Sequence, residues 1–259
     1  MPTWQPKFDT FLLHDPGNGL YVEKVRAPRE RRIATEDVSR RHGSVLIEEV
    51  VYDKRRVTIE GAIRKATAAN LRSALDDLER ALGGVQEKKL YLWDDRYINA
   101  ISRSWDPEYG AGAGLLFARY TAEFECEDPF WYDASATSDV QVVTSAPTSA
   151  TSWTSTNPGS RLVYPTITIT ANVSGNISAF ALANITTGKS FTFSGTVLSG
   201  NSLIVNCAAR TVTNNGNNAL ANWPSGNIFW WLNPGANTVR LTGANATVTI
   251  AYNAPYYVW

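Results

Sequence analysis

The chain has 259 residues, of which 44% are hydrophobic and 19% are charged, and its formal net charge at pH 7 is zero. This composition is ordinary for a soluble folded protein that is long enough for two hydrophobic cores. No run of about 18 apolar residues occurs, and no basic region precedes a hydrophobic stretch at the N-terminus, so neither a membrane span nor a signal peptide is predicted. We therefore expect synthesis in a cytoplasm and no membrane insertion.

Charge divides the chain into two parts. Residues 1–133 contain 20 of the 24 Lys and Arg residues and 23 of the 24 Asp and Glu residues, which leaves 4 basic residues and 1 acidic residue for 134–259. The second part is rich in Thr, Ser, Asn, Gly, Ala and β-branched residues, as is typical of strands joined by tight turns. We predict two domains, 1–133 and 134–259.

The first domain is predicted to consist of antiparallel strands and one helix. Its aromatic start, 1–11, is interpreted as an arm that docks on something. Strands are predicted at 20–25, 45–52, 56–63, 89–93, 96–102 and 117–126. We expect 45–52 to pair with 56–63 through a turn at Asp53 and Lys54, and 89–93 to pair with 96–102 through a turn at Asp94 and Asp95.

The strand at 117–126 closes this domain. Ala118, Tyr120, Ala122, Phe124 and Cys126 are apolar, and polar or charged residues alternate with them. A period of two predicts a strand with one buried face, which places the glutamates of the strand toward solvent. Pro129 lacks a ladder donor, so pairing should stop before it.

One helix is predicted with a clear start and end. Thr67 is a plausible N-cap, and Gly83 follows the last turn. The helix has one buried stripe, made of leucines at helical spacing: Leu71, Leu75, Leu78 and Leu82. A helix on one face of an antiparallel sheet makes the first domain a β-sandwich with one α-helix.

Short strands with turn signals between them fill the second domain. Strands are predicted at 166–170, 177–183, 190–197, 202–205, 228–232, 238–241 and 247–252, with a further strand around Val140 to Val143. Their spacing is typical of an all-β sandwich, and a galectin-like or jelly-roll β-sandwich fits best. The predicted fold class is therefore mainly β.

Two segments of the first domain have simple structural interpretations. The basic run 26–32 is typical of a solvated loop or a sheet edge, with nucleic-acid contact as the alternative. The glycines at 110, 112 and 114 are interpreted as a hinge or bend, because the segment lacks the lysine of a phosphate-binding loop.

The sequence shows no catalytic constellation. His14 and His42 lie in polar loops and lack metal-ligand spacing. Acidic residues that could form a glycosidase pair are more simply explained by a turn and by the solvent face of a strand: Asp94, Asp95, Glu123, Glu125, Glu127 and Asp128. Cys126 and Cys207 are interpreted as buried small hydrophobes. We predict a chain that is not an enzyme and that needs no metal or cofactor.

Aromatic residues of the second domain are the candidate contact site. Trp223, Trp230 and Trp231 are candidates for contact with a partner or a glycan, because exposed aromatic faces stack on sugars. Adjacent strand residues face opposite sides, so one of Trp230 and Trp231 should face outward. The alternative is that these rings fill the core.

The order of these elements resembles the distal tail protein family, often called Dit, of long-tailed non-contractile phages and related tail-like particles. In the first domain the resemblance rests on Gly19-Leu-Tyr-Val22, Ile33-Ala34, a charged loop ending at Gly43, Arg56-Val-Thr-Ile-Glu-Gly61, the leucine-striped helix, Asp95-Arg96-Tyr97 and Phe124-Glu-Cys-Glu-Asp-Pro-Phe130. In the second domain it rests on Tyr164-Pro-Thr-Ile-Thr-Ile169, Asn184 to Gly188, Gly200-Asn-Ser-Leu-Ile-Val205 and Leu232-Asn-Pro-Gly-Ala-Asn237. The chain departs from the family at Asn206-Cys207, where similar proteins often have an aspartate.

The resemblance implies a structural virion protein. Family members form a hexameric ring through the N-terminal domain, between the tail tube protein and the tail hub protein, and DNA passes through the ring without specific binding. The C-terminal galectin-like domain projects outward and holds receptor-binding or other baseplate proteins. The alternative function is a carbohydrate- or receptor-binding tail protein that acts through its C-terminal domain.

The resemblance also leads to an expectation about the channel. A strongly basic wall would hold passing DNA, because each neutralised phosphate releases counterions. We therefore expect the sheet of the first domain to line the channel, the helix to lie outside it, and Arg29, Arg31 and Arg32 to face away from it.

Overall fold

The structure, a computed structural model, describes residues 2–28, 31–32, 35–37, 44–46, 51–109, 116–144, 150–172 and 175–258. The chain divides into two compact units, Met1–Trp131 with Tyr257–Trp259, and Tyr132–Tyr256. Within the described residues the fold is mainly β with one α-helix, which confirms the predicted class. No helix of that part of the chain is long and apolar enough to span a membrane.

Some of the expectations concern positions that the structure does not describe. The glycine-rich bend at 110–114 and the loop residue His42 lie outside the described residues. So do Arg29 and the side chains of Arg31 and Arg32, which means that the expectation about the channel stays a prediction for these three arginines.

The first unit contains eleven strands among its described residues. In chain order they are β1 (Trp4–Phe8), β2 (Phe11–Leu12), β3 (Leu20–Arg26), β4 (Arg31–Arg32), β5 (Thr35–Asp37), β6 (Ser44–Leu46), β7 (Val51–Tyr52), β8 (Arg55–Arg64), β9 (Lys88–Trp93), β10 (Arg96–Tyr109) and β11 (Phe117–Cys126). Seven of them pair in the order β2-β1-β9-β10-β11-β8-β3, and β4 with β7 and β5 with β6 form two small ribbons. All of these pairs are antiparallel.

The long strand β10 divides this sheet into two half-sheets. Its first residues pair with β9, and from Ile101 onward it pairs with β11. We call β2, β1, β9 and the start of β10 the first half-sheet, and the rest of β10 with β11, β8 and β3 the second half-sheet. Their inner faces meet, since the rings of Phe8 and Phe124 lie 5.0 Å apart. The Tyr120 hydroxyl also donates to the Leu13 carbonyl at 3.2 Å.

The N-terminal segment is part of this sheet, so the interpretation of 1–11 as a docking arm is wrong. β1 pairs with both β2 and β9. Phe8 and Leu13 are buried, with relative exposures of 1% and 0%. The aromatic residues of this segment therefore find their apolar contacts inside the unit's own core, because alternate residues of β1 point into it.

The pairing expected between 45–52 and 56–63 is also wrong. β8 lies between β11 and β3, and β7 pairs with β4. The partner β11 pairs with β8 along its whole length, from Arg55 to Arg64, so a long-range partner replaces the local hairpin. The hairpin of β9 and β10, in contrast, forms as predicted.

The helix α1 (Ala68–Leu82) begins and ends as predicted. The Thr67 hydroxyl accepts a hydrogen bond from the Asn70 amide at 3.2 Å, and the cap at the other end is Gly83. All four leucines of the stripe are buried, and the helix packs on β8 and β10. An amphipathic helix with one buried face is what the leucine spacing requires.

The second unit follows after β12 (Trp131–Asp133), in which the chain passes from one unit to the other. Its strands are β13 (Thr137–Val143), β14 (Ala150–Asn157), β15 (Thr166–Ala171), β16 (Ile177–Asn184), β17 (Lys189–Val197), β18 (Ser202–Asn206), β19 (Thr211–Asn214), β20 (Asn217–Asn218), β21 (Gly235–Thr242), β22 (Ala246–Tyr252) and β23 (Pro255–Tyr256). One antiparallel sheet has the order β13-β22-β15-β18-β19-β20, and the other has the order β14-β21-β16-β17. Both sheets contribute to one core, which confirms the predicted β-sandwich.

The strands of the second unit differ from the predicted ones at several positions, and β19, β20 and β23 were not predicted. No strand forms at 228–232, where Leu232 makes only an isolated bridge with Val163. A strand that the pattern did not predict, β14, pairs with β21 over its whole length. Its sequence, mostly Ser and Thr around Trp153, carries too few apolar residues for periodicity to reveal it.

Candidate interaction surfaces

The three tryptophans predicted as contact residues lie close together in the sequence of the second unit but differ in exposure. Trp230 is completely buried. Trp223 and Trp231 are half-buried. Trp230 therefore fills the core and has no surface to offer to a partner, whereas contact by Trp223 and Trp231 stays a prediction.

Trp223 belongs to a stack of rings that leads from the core to the surface. Its indole lies 4.9 Å from the ring of Phe229 at an interplanar angle of 14°, and 4.7 Å from the ring of Phe191. Phe191 is buried and stacks in turn on Trp230 at 6.4 Å. The stack holds the partly exposed indole in one orientation, which suits an apolar or sugar ligand.

The Asn227 side chain forms hydrogen bonds that link the segment between Trp223 and Trp231 to strand β17. Its Oδ1 accepts hydrogen bonds from the Thr192 amide at 3.0 Å and from the Thr192 hydroxyl at 3.2 Å. Its Nδ2 donates to the Thr192 carbonyl at 2.6 Å. One side-chain amide thus satisfies the backbone of an edge strand, and this protects the edge from pairing with another chain.

Trp231 is held by asparagines. Its Nε1 donates to Asn233 Oδ1 at 3.1 Å, and its carbonyl accepts from Asn184 Nδ2 at 2.8 Å. Its ring lies 6.1 Å from that of Tyr164, which is 44% exposed. Trp231 and Tyr164 therefore form a second aromatic surface, whose backbone is fixed by a buried polar network.

The outer face of the larger sheet of the second unit carries no charge. The residues of β13, β15, β18, β19 and β22 that point away from the core are Ser, Thr, Asn, Ala, Val and Ile. Val140 and Val142 on the edge strand β13 are 56% and 54% exposed, and Ile204 is 37% exposed. We call this surface the neutral face. Depletion of charge is typical of the central part of protein interfaces.

The first unit has a surface of aromatic rings and lysines that the sequence reasoning missed. On the outer face of the first half-sheet, Lys7 Nζ lies 4.3 Å from the ring centroid of Tyr91, and Lys89 Nζ lies 4.1 Å from that of Tyr97. The two tyrosine rings lie 5.8 Å apart. The alternation of Lys89, Tyr91 and Trp93 in β9 was the available signal. The alternation within β9 does not show which strands lie beside it, so the contributions of Lys7 from β1 and Tyr97 from β10 could not be predicted.

This aromatic–lysine face continues to the end of β9. The rings of Trp4 and Trp93 meet edge to face at 5.3 Å. Burial raises the pKa of both Tyr91 and Tyr97, so their phenols stay neutral and the charge of the face comes from its lysines.

The second half-sheet presents charges of both signs on its outer face. Lys24 and Arg26 lie 4.0 and 3.5 Å from Glu60. Arg119 lies 3.8 Å from Glu23 and also covers the ring of Phe117. Cations and carboxylates therefore largely neutralise each other on β3, β8 and β11.

On the outer face of the second half-sheet, acidic side chains predominate toward the end of β10. Asp106, Glu108 and Glu123 are exposed and form what we call the acidic face. Asp106 lies opposite Thr121 and Glu123 lies opposite Ser104, so neither carboxylate has a cation directly across the strand pair. Glu108 lies opposite Arg119.

The sequence predicts that Glu125 faces solvent, but its side chain is buried. It is only 8% exposed, and its Oε1 accepts from Lys54 Nζ at 2.9 Å and from Arg103 Nη2 at 2.8 Å. These two cations lower the pKa of Glu125 to about 2. The carboxylate is therefore charged and fully engaged, which is the opposite of a general acid.

The last residues of the chain pack within the first unit. Arg55 Nη2 donates to the Tyr257 carbonyl, and Arg96 Nη1 donates to the Val258 carbonyl, both at 3.0 Å. The ring of Tyr257 lies 4.9 Å from that of Tyr52 and 5.5 Å from that of Phe130.

The remaining candidates for chemistry have structural roles. No group of His, Cys, Asp and Glu side chains that could hold a metal occurs among the described residues. His14 Nδ1 accepts from the Val22 amide at 3.2 Å. Cys126 and Cys207 are free and buried, as predicted, and burial raises the pKa of each thiol to about 12.

The second unit is similar to a known protein family. Residues 158–256 match the family model described as siphovirus-type tail component, C-terminal domain. This segment belongs to that family. The tail-component domain lies inside the second unit, Tyr132–Tyr256, and includes all three tryptophans and their supporting asparagines.

The whole chain shares the fold of a solved tail protein. The crystal structure of the Dit protein of phage SPP1 superposes with a TM-score of 0.75 at 16% identity, over 96% of this chain and 98% of that chain. That protein is described as a paradigm of the hub adsorption apparatus in phages that infect Gram-positive bacteria. Together with the tail-component domain, this fold confirms the resemblance to the distal tail protein family.

Other similarities are weaker. The baseplate of phage P2 in its activated conformation with Ca gives a TM-score of 0.47 at 10% identity, over 88% of this chain and 90% of that chain, which is too low to show a shared fold. A sequence search of curated proteins finds no match. Residues 158–256 are therefore similar to the C-terminal domain of a siphovirus-type tail component, and the chain as a whole shares the fold of the SPP1 Dit protein.

Proposed function

We propose that this chain is a distal tail protein that forms a hexameric ring between the tail tube and the tail tip. In this proposal the first unit builds the ring, and the second unit is the platform to which other tail-tip proteins attach. The observation that supports it most directly is the tail-component domain at 158–256. A full-length fold like that of the SPP1 Dit protein adds the expectation that both parts of the chain serve one assembly.

The partners follow from the position of such a ring. One face of the ring binds the tail tube protein, the other binds the tail hub protein, and DNA passes through the channel without specific binding. The second unit binds a receptor-binding protein or another baseplate protein. The neutral face suits this role, because its Val140, Val142 and Ile204 can be covered by a partner without burying a charge.

The channel wall is assigned to the outer face of β3, β8 and β11. Lys24 and Arg26 share Glu60, and Arg119 pairs with Glu23, so these three cations have local carboxylate partners. A wall of mixed charge holds a passing phosphate backbone less strongly than a basic wall would. Helix α1 packs on β8 and β10 and lies outside the channel in this arrangement.

Mass measurement tests the ring. The full chain is measured by native mass spectrometry and light scattering over a wide range of concentration, and particles are imaged by negative stain. We expect a species of six chains with a central hole and sixfold symmetry. A chain that stays monomeric at the highest concentration, or a dimer with no hole, contradicts the proposal.

The proposed role is structural and not catalytic. A hydrolase would show an activity that disappears when an acid such as Glu125 or Asp128 is replaced. Glu125 is held in its charged form by Lys54 and Arg103, which is unsuitable for proton donation. Hydrolysis of a cell-wall or capsule polysaccharide that is lost in Glu125→Gln would overturn this part of the proposal.

A carbohydrate-binding function of the second unit is the alternative, supported by the partly exposed ring of Trp223 on its stack. The full chain is screened on a glycan array beside Trp223→Ala and Trp231→Ala, with Trp153→Phe as the control. Binding that is lost in either alanine variant and kept in the control favours this function. If the full chain binds no sugar on the array, the result contradicts this function.

A further inference from the structure

The aromatic–lysine face of the first unit has the composition of a binding surface. Tyr91, Tyr97 and Trp93 lie on adjacent strands with Lys7 and Lys89 over the two tyrosine rings. Tyrosine and tryptophan are enriched at the energetic centres of protein interfaces. The outward positions of β1, β9 and β10 that form this face, at 4, 7, 89, 91, 93, 97 and 99, contain no carboxylate. Among the described residues, neither ammonium group has a carboxylate partner at these positions, and the nearby Asp9 is paired with Lys88.

A matching surface of opposite charge lies on the other half-sheet. Asp106 and Glu123 are diagonal neighbours on the outer face of β10 and β11, and Glu108 follows on the same side of β10. Like charges at such positions repel each other. The cations of these two strands are engaged elsewhere, since Arg119 pairs with Glu23 and Arg103 pairs with Glu125. A cationic partner that covers Asp106 and Glu123 would relieve the repulsion.

The two surfaces cannot meet within one chain. Their half-sheets pack against each other through their inner faces, as the contact of Phe8 with Phe124 shows. The outer faces therefore point away from each other. Complementary patches on opposite sides of one subunit produce head-to-tail contacts, and such contacts close into a ring when the rotation between subunits allows it.

We infer that the aromatic–lysine face of one copy binds the acidic face of the next copy, with Lys7 and Lys89 paired to Asp106 and Glu123. The inference rests on the proposed ring and identifies the contact that closes it. The partly exposed rings of Tyr91 and Trp93 supply the apolar area of the contact, Tyr97 being buried beneath Lys89, and the charges select the partner face and the orientation. The same arrangement leaves β3, β8 and the adjoining part of β11 free to face the channel.

Nucleic acid is a less suitable occupant of the aromatic–lysine face. Two lysines neutralise few phosphates, and nucleic-acid affinity depends mainly on the number neutralised. A second copy, in contrast, presents two exposed carboxylates, Asp106 and Glu123, on one face. DNA binding is therefore one of the outcomes that the experiment must separate.

The experiment uses two full-length variants with reversed charges. Lys7→Glu/Lys89→Glu makes both faces negative, and Asp106→Lys/Glu123→Lys makes both positive, so each variant alone should lose the ring because like charges meet across the contact. When the two are mixed, every contact joins opposite charges again. We expect native mass spectrometry to show rings only in the mixture, with the two chains in equal numbers.

The controls separate folding from contact. Arg72→Glu on the exposed side of α1 and Lys189→Glu at the start of β17 should form rings like the unaltered chain. Equal thermal midpoints, together with rescue on mixing, exclude misfolding as the cause of a lost ring. Rings that persist in both double variants overturn the inference. A mixture that forms no rings also overturns it. Neither result contradicts the proposed function.

Two further outcomes are distinct. If the unaltered chain forms no ring at any concentration, the proposed function fails and the contact fails with it. If the rings are unaffected but Lys7→Glu/Lys89→Glu abolishes binding to a short DNA duplex, the face binds nucleic acid and the inference is wrong.

Discussion

Glu125 is a buried carboxylate that two cations keep charged. Lys54 and Arg103 both reach the same oxygen, and together they lower the pKa of Glu125 from 4.5 to about 2. A carboxyl with a lowered pKa in the folded state stabilises the fold above its unfolded pKa, and this contribution is lost as the pH falls through the folded value. The pairs therefore contribute fully at neutral pH and progressively less between about pH 4.5 and pH 2.

Glu125→Gln tests this directly. We expect the variant to be less stable than the unaltered chain at pH 7, because Gln cannot pair with the two cations. The difference should shrink as the pH falls from about 4.5 to about 2, where the native carboxylate is itself protonated. Urea unfolding across this range measures the effect, and Asp95→Asn, at the exposed turn between β9 and β10, is the control. A difference that does not change with pH would contradict the assignment.

Gly61 lies where the backbone of β8 passes under Tyr120. A Cβ at this position would lie 2.5 Å from Tyr120 Cζ and 2.6 Å from the Tyr21 carbonyl oxygen. Tyr120 is buried, and its hydroxyl bonds to the Leu13 carbonyl, so it cannot move aside freely.

Gly61→Ala should therefore destabilise the first unit by about 1 to 3 kcal/mol, the usual cost of overpacking a core. The free energy of unfolding in urea provides the measurement. Gly84→Ala is the matched control, because nothing lies within 4 Å of its Cβ position. Equal losses at Gly61 and Gly84 would show that the close approach to Tyr120 is not the cause.

At the scale of elements, helix α1 combines a local start signal with tertiary packing. Thr67 satisfies the Asn70 amide, and Leu71, Leu75 and Leu78 bury one face on β8 and β10. The Trp105 indole donates to Glu79 from strand β10, which ties the exposed side of the helix to the same sheet. The cap sets where the helix begins, and the stripe sets which face is buried.

Thr67→Ala removes this cap. We expect a loss of about 1 kcal/mol in the free energy of unfolding, since the Asn70 amide loses its acceptor. Chemical denaturation followed by circular dichroism measures the loss. Ser73→Ala, at an exposed position inside the helix, should be neutral or slightly stabilising because Ala has the higher helix propensity. A Thr67→Ala variant as stable as the unaltered chain would rule out the capping role.

At the scale of the whole molecule, both ends of the chain belong to the first unit. The chain leaves this unit after Trp131 and returns to it at Tyr257. Arg55 is 3% exposed and donates to the Tyr257 carbonyl, and the ring of Tyr257 packs on Tyr52 and Phe130. Residues at the C-terminus thus contribute to a unit that is otherwise built from the first half of the sequence.

Deleting residues 257–259 should destabilise the first unit. Arg55 would lose a buried acceptor, which costs about 1 to 3 kcal/mol when the donor stays buried. Hydrogen exchange of β8 amides, compared with those of β15 in the second unit, measures the effect on each unit separately. Deleting residue 259 alone keeps the contacts of Tyr257 and Val258 and serves as the control. Unchanged exchange in β8 after the longer deletion would contradict the prediction.

The local elements of this protein were predictable wherever one short stretch carried the whole signal. The alternation in β11 identifies a strand with a buried face, and Thr67 with the leucine stripe identifies the helix. The contrast in charge between 1–133 and 134–259 separates a unit with ionic surfaces from one with a neutral sheet face. Each of these features depends on residues that are close together in the sequence, so hydrophobic periodicity and local composition are enough to predict it.

Tertiary structure alone decided which segments meet. It placed the first residues in a sheet instead of an arm, paired β8 with β11 and β3, buried Trp230, and brought Lys54 and Arg103 to Glu125. The aromatic–lysine face exists only because β1, β9 and β10 lie side by side. Long-range strand pairing is the physical reason: a strand's own sequence specifies its alternation, but its neighbours are selected by the packing of the complete core.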